Sequence, residues 1–87
     1  MDLQQQFTEA IANSKLLSSK PSNDILLKLY SLYKQSTEGD ATEAAAPSNG
    51  FDFVAKFKYE AWKNISGLSK ESAMQQYVDL VNQLKAQ

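Results

Sequence analysis

Apolar residues in this 87-residue chain recur at intervals of three and four in four separate segments, and nowhere alternate with a period of two over enough residues to suggest a strand. The pattern therefore predicts four helices and an all-α fold. In the first segment Leu3, Phe7, Ala10, Ile11 and Ser14 share one face. Ser18-Ser19-Lys20-Pro21 breaks it, and Ser22 stands as N-cap for the second helix, with Asp24 in the first turn where the macrodipole favours a carboxylate. Leu26, Leu29, Tyr30 and Tyr33 mark that helix's face, and Ile25, Leu27 and Leu32 widen it, so it is expected to be the most buried of the set. Gly39 is expected to end it as a left-handed cap.

Residues 40–50 carry no apolar period. Ala44-Ala45-Ala46 has room for one helical turn before Pro47-Ser48-Asn49-Gly50 closes the segment. A link this long in so small a domain marks function or mobility more often than accident. Phe53, Phe57, Ala61 and Ile65 then form the stripe of a third helix, with Val54, Lys58 and Trp62 beside it and Gly67 as its end. Ser69 caps a fourth, where Ala73, Met74, Tyr77, Val78, Val81 and Leu84 recur. The short links between helices one and two and between three and four favour antiparallel neighbours. Residues 1–87 read as one domain, close to the smallest size that folds without staples.

Composition removes several chemistries. The chain has no cysteine, so no disulfide supports it. It has no histidine, which removes the commonest general base and metal ligand and leaves only carboxylates for a metal. Its net charge is −1 and it has no arginine, unlike a nucleic-acid binder with its basic excess. No apolar run approaches the roughly 20 residues that span a bilayer, and the start, Met1-Asp2-Leu3-Gln4-Gln5-Gln6, lacks the basic and apolar parts of a signal peptide. A soluble cytoplasmic protein, monomeric and without stable membrane insertion, is the expectation.

The chemistry-bearing stretch is Leu29-Tyr30-Ser31-Leu32-Tyr33-Lys34-Gln35-Ser36-Thr37-Glu38-Gly39-Asp40. Tyr30 and Lys34 lie four apart, one above the other on a helix, with Tyr33 beside them. A phenol that stacks next to an ammonium that holds a phosphate makes a nucleotide grip.

This stretch resembles the signature of the acyl-CoA-binding protein family, a Tyr-x-x-Tyr-Lys-Gln-x-Thr-x-Gly-Asp run in the second helix. Other segments match in order: Lys20-Pro21-Ser22 with Asp24; Asp52-Phe53, Lys56, Lys58 and Ala61-Trp62; Gly67-Leu68-Ser69-Lys70-Glu71-Ser72-Ala73-Met74 and Tyr77; and Phe7, Ala10 and Lys15 near the start. The resemblance implies a four-helix up-down-down-up skewed bundle that binds medium- to long-chain acyl-CoA, with no cofactor and no catalysis. It implies that adenine stacks against Tyr30 and Tyr33, and that Lys34 and Lys58 meet the 3′-phosphate. Tyr77 would bond near the ribose and phosphate, and Lys15 would border the nucleotide. Phe7, Ala10, Leu26, Leu27 and Phe57 would line the acyl groove, and Trp62 would be partly structural. Acyl-CoA-using enzymes are the implied recipients.

Physical chemistry fits that implication. A hydrogen bond to a charged group contributes about 1.5–3 kcal/mol, so loss of Lys34 or Lys58 is expected to weaken binding by about one to two decades. Each fully buried CH₂ of a tail adds about 0.8 kcal/mol. Some residues depart from the family pattern. Ala46-Pro47-Ser48 stands where a basic residue and Pro-Gly are usual, Tyr59 where tryptophan is frequent, and Phe57 where a small residue is common. An alternative reading makes the tyrosine-lysine face a protein-interaction module for an acidic partner, indifferent to CoA and to acyl length. An esterase would need a nucleophile with a base, and none is visible.

Overall fold

The computed structural model describes every residue, Met1–Gln87. Four α-helices form: α1 (Leu3–Ser14), α2 (Asn23–Glu38), α3 (Phe53–Lys63) and α4 (Lys70–Lys85), with a 3₁₀ turn at Glu43–Ala45 and no strand. Each helix starts at a side-chain cap that satisfies an otherwise unpaired backbone N–H. Asp2 and Gln5 form a reciprocal capping box. Ser22 accepts from Ile25 at 3.4 Å, Asp52 from Ala55 at 3.0 Å and Ser69 from Ser72 at 3.0 Å. The expected caps at Ser22 and Ser69 are thus present, and Asp24 lies in the first turn of α2.

The helix ends differ from expectation. Gly39 does take a positive φ of 83°, but with ψ −150° it leaves α2 in an extended conformation open essentially only to glycine, outside the left-handed helical region. Helix α3 stops at Lys63 with Asn64 as cap. Gly67, at φ 95°, closes the irregular turn that follows.

The core joins three helices. Phe7 and Ala10 from α1, Leu29 and Leu32 from α2, and Ala73, Tyr77, Val78, Leu80 and Val81 from α4 form one buried cluster. α1 packs on α4, α2 on α4, and α3 on α2. The helices joined by short links are therefore not the principal neighbours, contrary to expectation, whereas the long link joins two that do pack. The reason lies in α4, whose buried positions 73, 77, 78, 80 and 81 span two adjacent faces, enough to receive both α1 and α2. α2 is accordingly not the most buried helix, since α2 and α4 bury five residues each.

Three of those on α2 are polar: Ser31, Gln35 and Ser36. The serine hydroxyls are satisfied within the helix, Ser31 donating to the Lys28 carbonyl at 3.0 Å and Ser36 to the Leu32 carbonyl at 2.6 Å. Gln35 Nε2 donates to Asp40 Oδ1 at 2.7 Å and to the Leu68 carbonyl at 2.8 Å, and Asp40 Oδ1 also accepts from the Gly67 N–H at 2.8 Å. This cluster ties the α3–α4 turn to the end of α2.

The apolar stripes expected on α3 are largely unburied. Phe53 (61 %), Val54 (64 %) and Phe57 (62 %) are exposed, and Ala61 and Ile65 only half-buried. Trp62 alone is buried on this helix. Its Nε1 donates to the Gly39 carbonyl at 2.8 Å, which ties α3 to the end of α2.

Candidate functional site

Three cavities open along α2. The first, about 350 Å³, is lined by Ile11, Ser14, Lys15, Pro21, Leu26, Leu29, Tyr30, Tyr33 and Tyr77. The second, about 400 Å³, lies between Asn23, Leu26, Leu27, Val54, Phe57 and Lys58. The third, about 240 Å³, has Tyr30, Lys34, Ala45, Pro47, Ala55, Lys58, Tyr59 and Trp62 as its walls. Leu26 is shared by the first two, Tyr30 by the first and third, and Lys58 by the second and third. Neighbouring and with walls in common, they mark a groove along α2, most apolar at the second cavity and carrying phenols and ammonium groups at the first and third.

The helical repeat explains the convergence. Leu26, Tyr30 and Lys34 follow one another at intervals of four, so they run as a line down α2 between its two neighbours. Lys58 comes from α3 and holds its Nζ 5.4 Å from the Tyr30 ring centre, a cation–π contact that places a positive charge beside the phenol. Lys34 Nζ lies 5.0 Å from the Trp62 ring centre and pairs with Glu38 one turn on. The Glu38 hydrogen bond raises the Lys34 pKa above the ordinary lysine value, with partial burial opposing it, so this group stays cationic. Tyr77 is buried and donates its hydroxyl to Ser14 Oγ at 3.3 Å, while Ser14 donates to the Ile11 carbonyl at 2.7 Å.

Nine of the eleven candidate residues are gathered around this groove: Lys15, Leu26, Leu27, Tyr30, Tyr33, Lys34, Phe57, Lys58 and Tyr77. Phe7 and Ala10 are not. Both are core residues, and the Phe7 ring packs behind the phenols, 5.2 Å from Tyr77 edge to face and 6.2 Å from Tyr33 stacked. Their position in the middle of α1, facing α4, turns them away from the groove.

Sequence reasoning did not single out Val54, Ala55, Tyr59 and Pro47, among others, as lining residues, nor Glu38 as the partner of Lys34. Tyr59 donates its hydroxyl to the Thr42 carbonyl at 3.1 Å, fastening the long link over the third cavity. The signal for Glu38 was present, because Lys34 and Glu38 are four apart on one helix.

An all-α chain with an open groove of tyrosines, lysines and apolar side chains falls in the class of small helical domains that bind amphipathic anionic ligands. The family profile described as Acyl CoA binding protein matches residues 4–81, and the chain belongs to that family. It is 44% identical over 86 residues to the acyl-CoA-binding protein homolog of Manduca sexta, covering 99% of this chain and 94% of that protein. It is 44% identical to the acyl-CoA-binding protein of Saccharomyces cerevisiae, over 94% and 92% of the two. Among solved structures, Oryza sativa acyl-CoA-binding protein 2 superposes with a TM-score of 0.86 at 40% identity, covering 95% of this chain and 90% of that one. The fold is therefore the four-helix bundle of that family. The chain is also 49% identical to enoyl-CoA delta isomerase 2 of Rattus norvegicus, but it spans only 21% of that protein's length. It spans 20% of the human protein of the same name.

Proposed function

We propose that this chain binds acyl-CoA esters without acting on them chemically, and carries or buffers them for acyl-CoA-using enzymes. The observation that carries the reading is a pair of neighbouring cavities with Lys58 in common, an apolar one between Leu26, Leu27 and Phe57 and one lined by Tyr30, Lys34 and Lys58. An acyl tail suits the first and a phosphorylated nucleotide the second. Adenine stacks on Tyr30 and Tyr33, Lys34 and Lys58 meet phosphate as point charges, and Lys15 and Tyr77 border the remaining head group. Phe7 and Ala10 act from behind, Phe7 by holding the Tyr33 and Tyr77 rings in place. The carrier works as a monomer in the cytoplasm.

Titration calorimetry with CoA, octanoyl-CoA and palmitoyl-CoA tests this. One-to-one binding that tightens strongly with acyl length is expected, since each buried CH₂ adds about 0.8 kcal/mol. Lys58→Ala is expected to weaken palmitoyl-CoA by about one to two decades. Weak binding alike for all three ligands would overturn the reading and leave the protein-interaction module in its place.

The similarity to the much longer enoyl-CoA delta isomerases favours a second form of the same reading. In that form this chain is one part of a longer protein and holds CoA esters near an enzyme attached to it.

A further inference from the structure

The chain has nine lysines and ten carboxylate side chains, yet it forms a single ion pair, between Lys34 and Glu38. That pair falls on a lysine lining the groove. Lys58, on the same cavity, has no carboxylate in contact and rests against the Tyr30 ring instead. The two cations of this cavity are therefore unequal, one without a carboxylate partner and the other already paired.

Helix stability does not account for Glu38. It is the last residue of α2, where the macrodipole disfavours a carboxylate. Lysine preceding glutamate by four is also the weaker of the two orders for such a pair. An acid stands there against both local preferences, one turn from a ligand-facing ammonium.

We infer that Glu38 is a counter-ion built into the head-group site: it holds Lys34 when the groove is empty and lowers the site's affinity for an anionic head group. An incoming phosphate either displaces the carboxylate, whose side chain is 52 % exposed and free to turn outward, or shares the ammonium with it. Affinity then leans on Lys58 and on the apolar branch, so that a bare CoA head group fills the groove poorly at concentrations where a long-chain ester fills it. This inference rests on the acyl-CoA reading above.

The test is calorimetry of CoA with wild type, Glu38→Gln, Lys34→Ala and the double variant, at low and high salt. Glu38→Gln is expected to tighten CoA by about three- to tenfold at low salt, and by less as salt screens the charges. In the Lys34→Ala background the same substitution is expected to change affinity by about twofold or less. Lys34→Ala is expected to cost less affinity than Lys58→Ala in wild type, and the two to become comparable once Glu38 is neutral. The thermal midpoint of Glu38→Gln is expected at or above wild type, because a carboxylate leaves a helix C-terminus. Unchanged CoA affinity in Glu38→Gln, or equal tightening without Lys34, overturns the inference while leaving the acyl-CoA reading intact. If CoA and palmitoyl-CoA bind none of these proteins, that reading falls and this inference with it.

Discussion

Helices α1 and α3 both carry a phenylalanine-bearing apolar stripe of similar spacing, yet one stripe is core and the other is bare. On α1, Phe7 and Ala10 sit in the buried cluster against α4. On α3, Phe53, Val54 and Phe57 face outward, and only Trp62 is buried. The difference is the partner. α4 receives Phe7 and Ala10 of α1 in its buried face, whereas α3 meets α2 through Trp62 and turns Phe53, Val54 and Phe57 to solvent. A binding groove needs such a helix, packed on its neighbour yet keeping apolar surface for a ligand. The three-helix core supplies stability, and α3 supplies a wall.

If that division holds, truncating the core is the most damaging change. Leu32, 2 % exposed, lies in the core cluster with residues of α4, where a truncated side chain leaves a cavity. Leu32→Ala is expected to cost about 2–5 kcal/mol of folding free energy, read from urea denaturation. A loss below about 1 kcal/mol would mean that the α2–α4 contact is not where the stability lies.

The end of α2 is the hinge of the comparison, since the α3–α4 turn is fastened there through Asp40. The Gly67 N–H, and after it the Gln35 amide, favours the ionised carboxylate and holds its pKa below the ordinary 3.8. A carboxylate depressed in the folded state contributes its full stability above the ordinary value and loses it as pH falls through the lower folded value. Asp40→Asn keeps an oxygen acceptor but removes the charge. Its melting temperature is expected to fall less steeply than that of wild type between neutral pH and pH below about 3. Parallel acid profiles for the two proteins would show that the charge of Asp40 does not fasten the turn.

Much of this was legible in the sequence because local rules governed it. Ser22 and Ser69 cap as expected, the periodic residues of α4 are buried or half-buried, and the Tyr30–Lys34 line lies on the groove. What failed shares one cause. Periodicity tells which residues share a face, but not what that face meets. Phe57 and Phe7 therefore looked alike as groove residues, although only Phe57 lines a cavity. Tyr33, read as part of the α2 core face, is 40 % exposed, while the buried edge of that helix passes through Gln35 and Ser36. Buried polar side chains carry no apolar signal, whether satisfied like Ser36 or with an atom left unpaired like Gln35 Oε1. Gly39 showed the need for a positive φ, but its ψ depends on where the Trp62 indole meets its carbonyl.

The smallest effect on the fold, and the most telling, is expected at Phe57. Its ring is exposed and touches the cavity between α2 and α3, so Phe57→Ala removes apolar surface that folding did not bury. Folding stability is expected to stay within about 0.5 kcal/mol of wild type. Palmitoyl-CoA is expected to weaken by about tenfold, because part of the ring's apolar area is covered only when a tail lies on it. Free CoA, which has no tail for this branch, is expected to bind as before. Calorimetry with both ligands, alongside a denaturation curve, separates the outcomes. A large loss of stability would make the α3 face part of the core after all, and equal weakening of CoA and palmitoyl-CoA would move Phe57 from the acyl branch to the head-group branch.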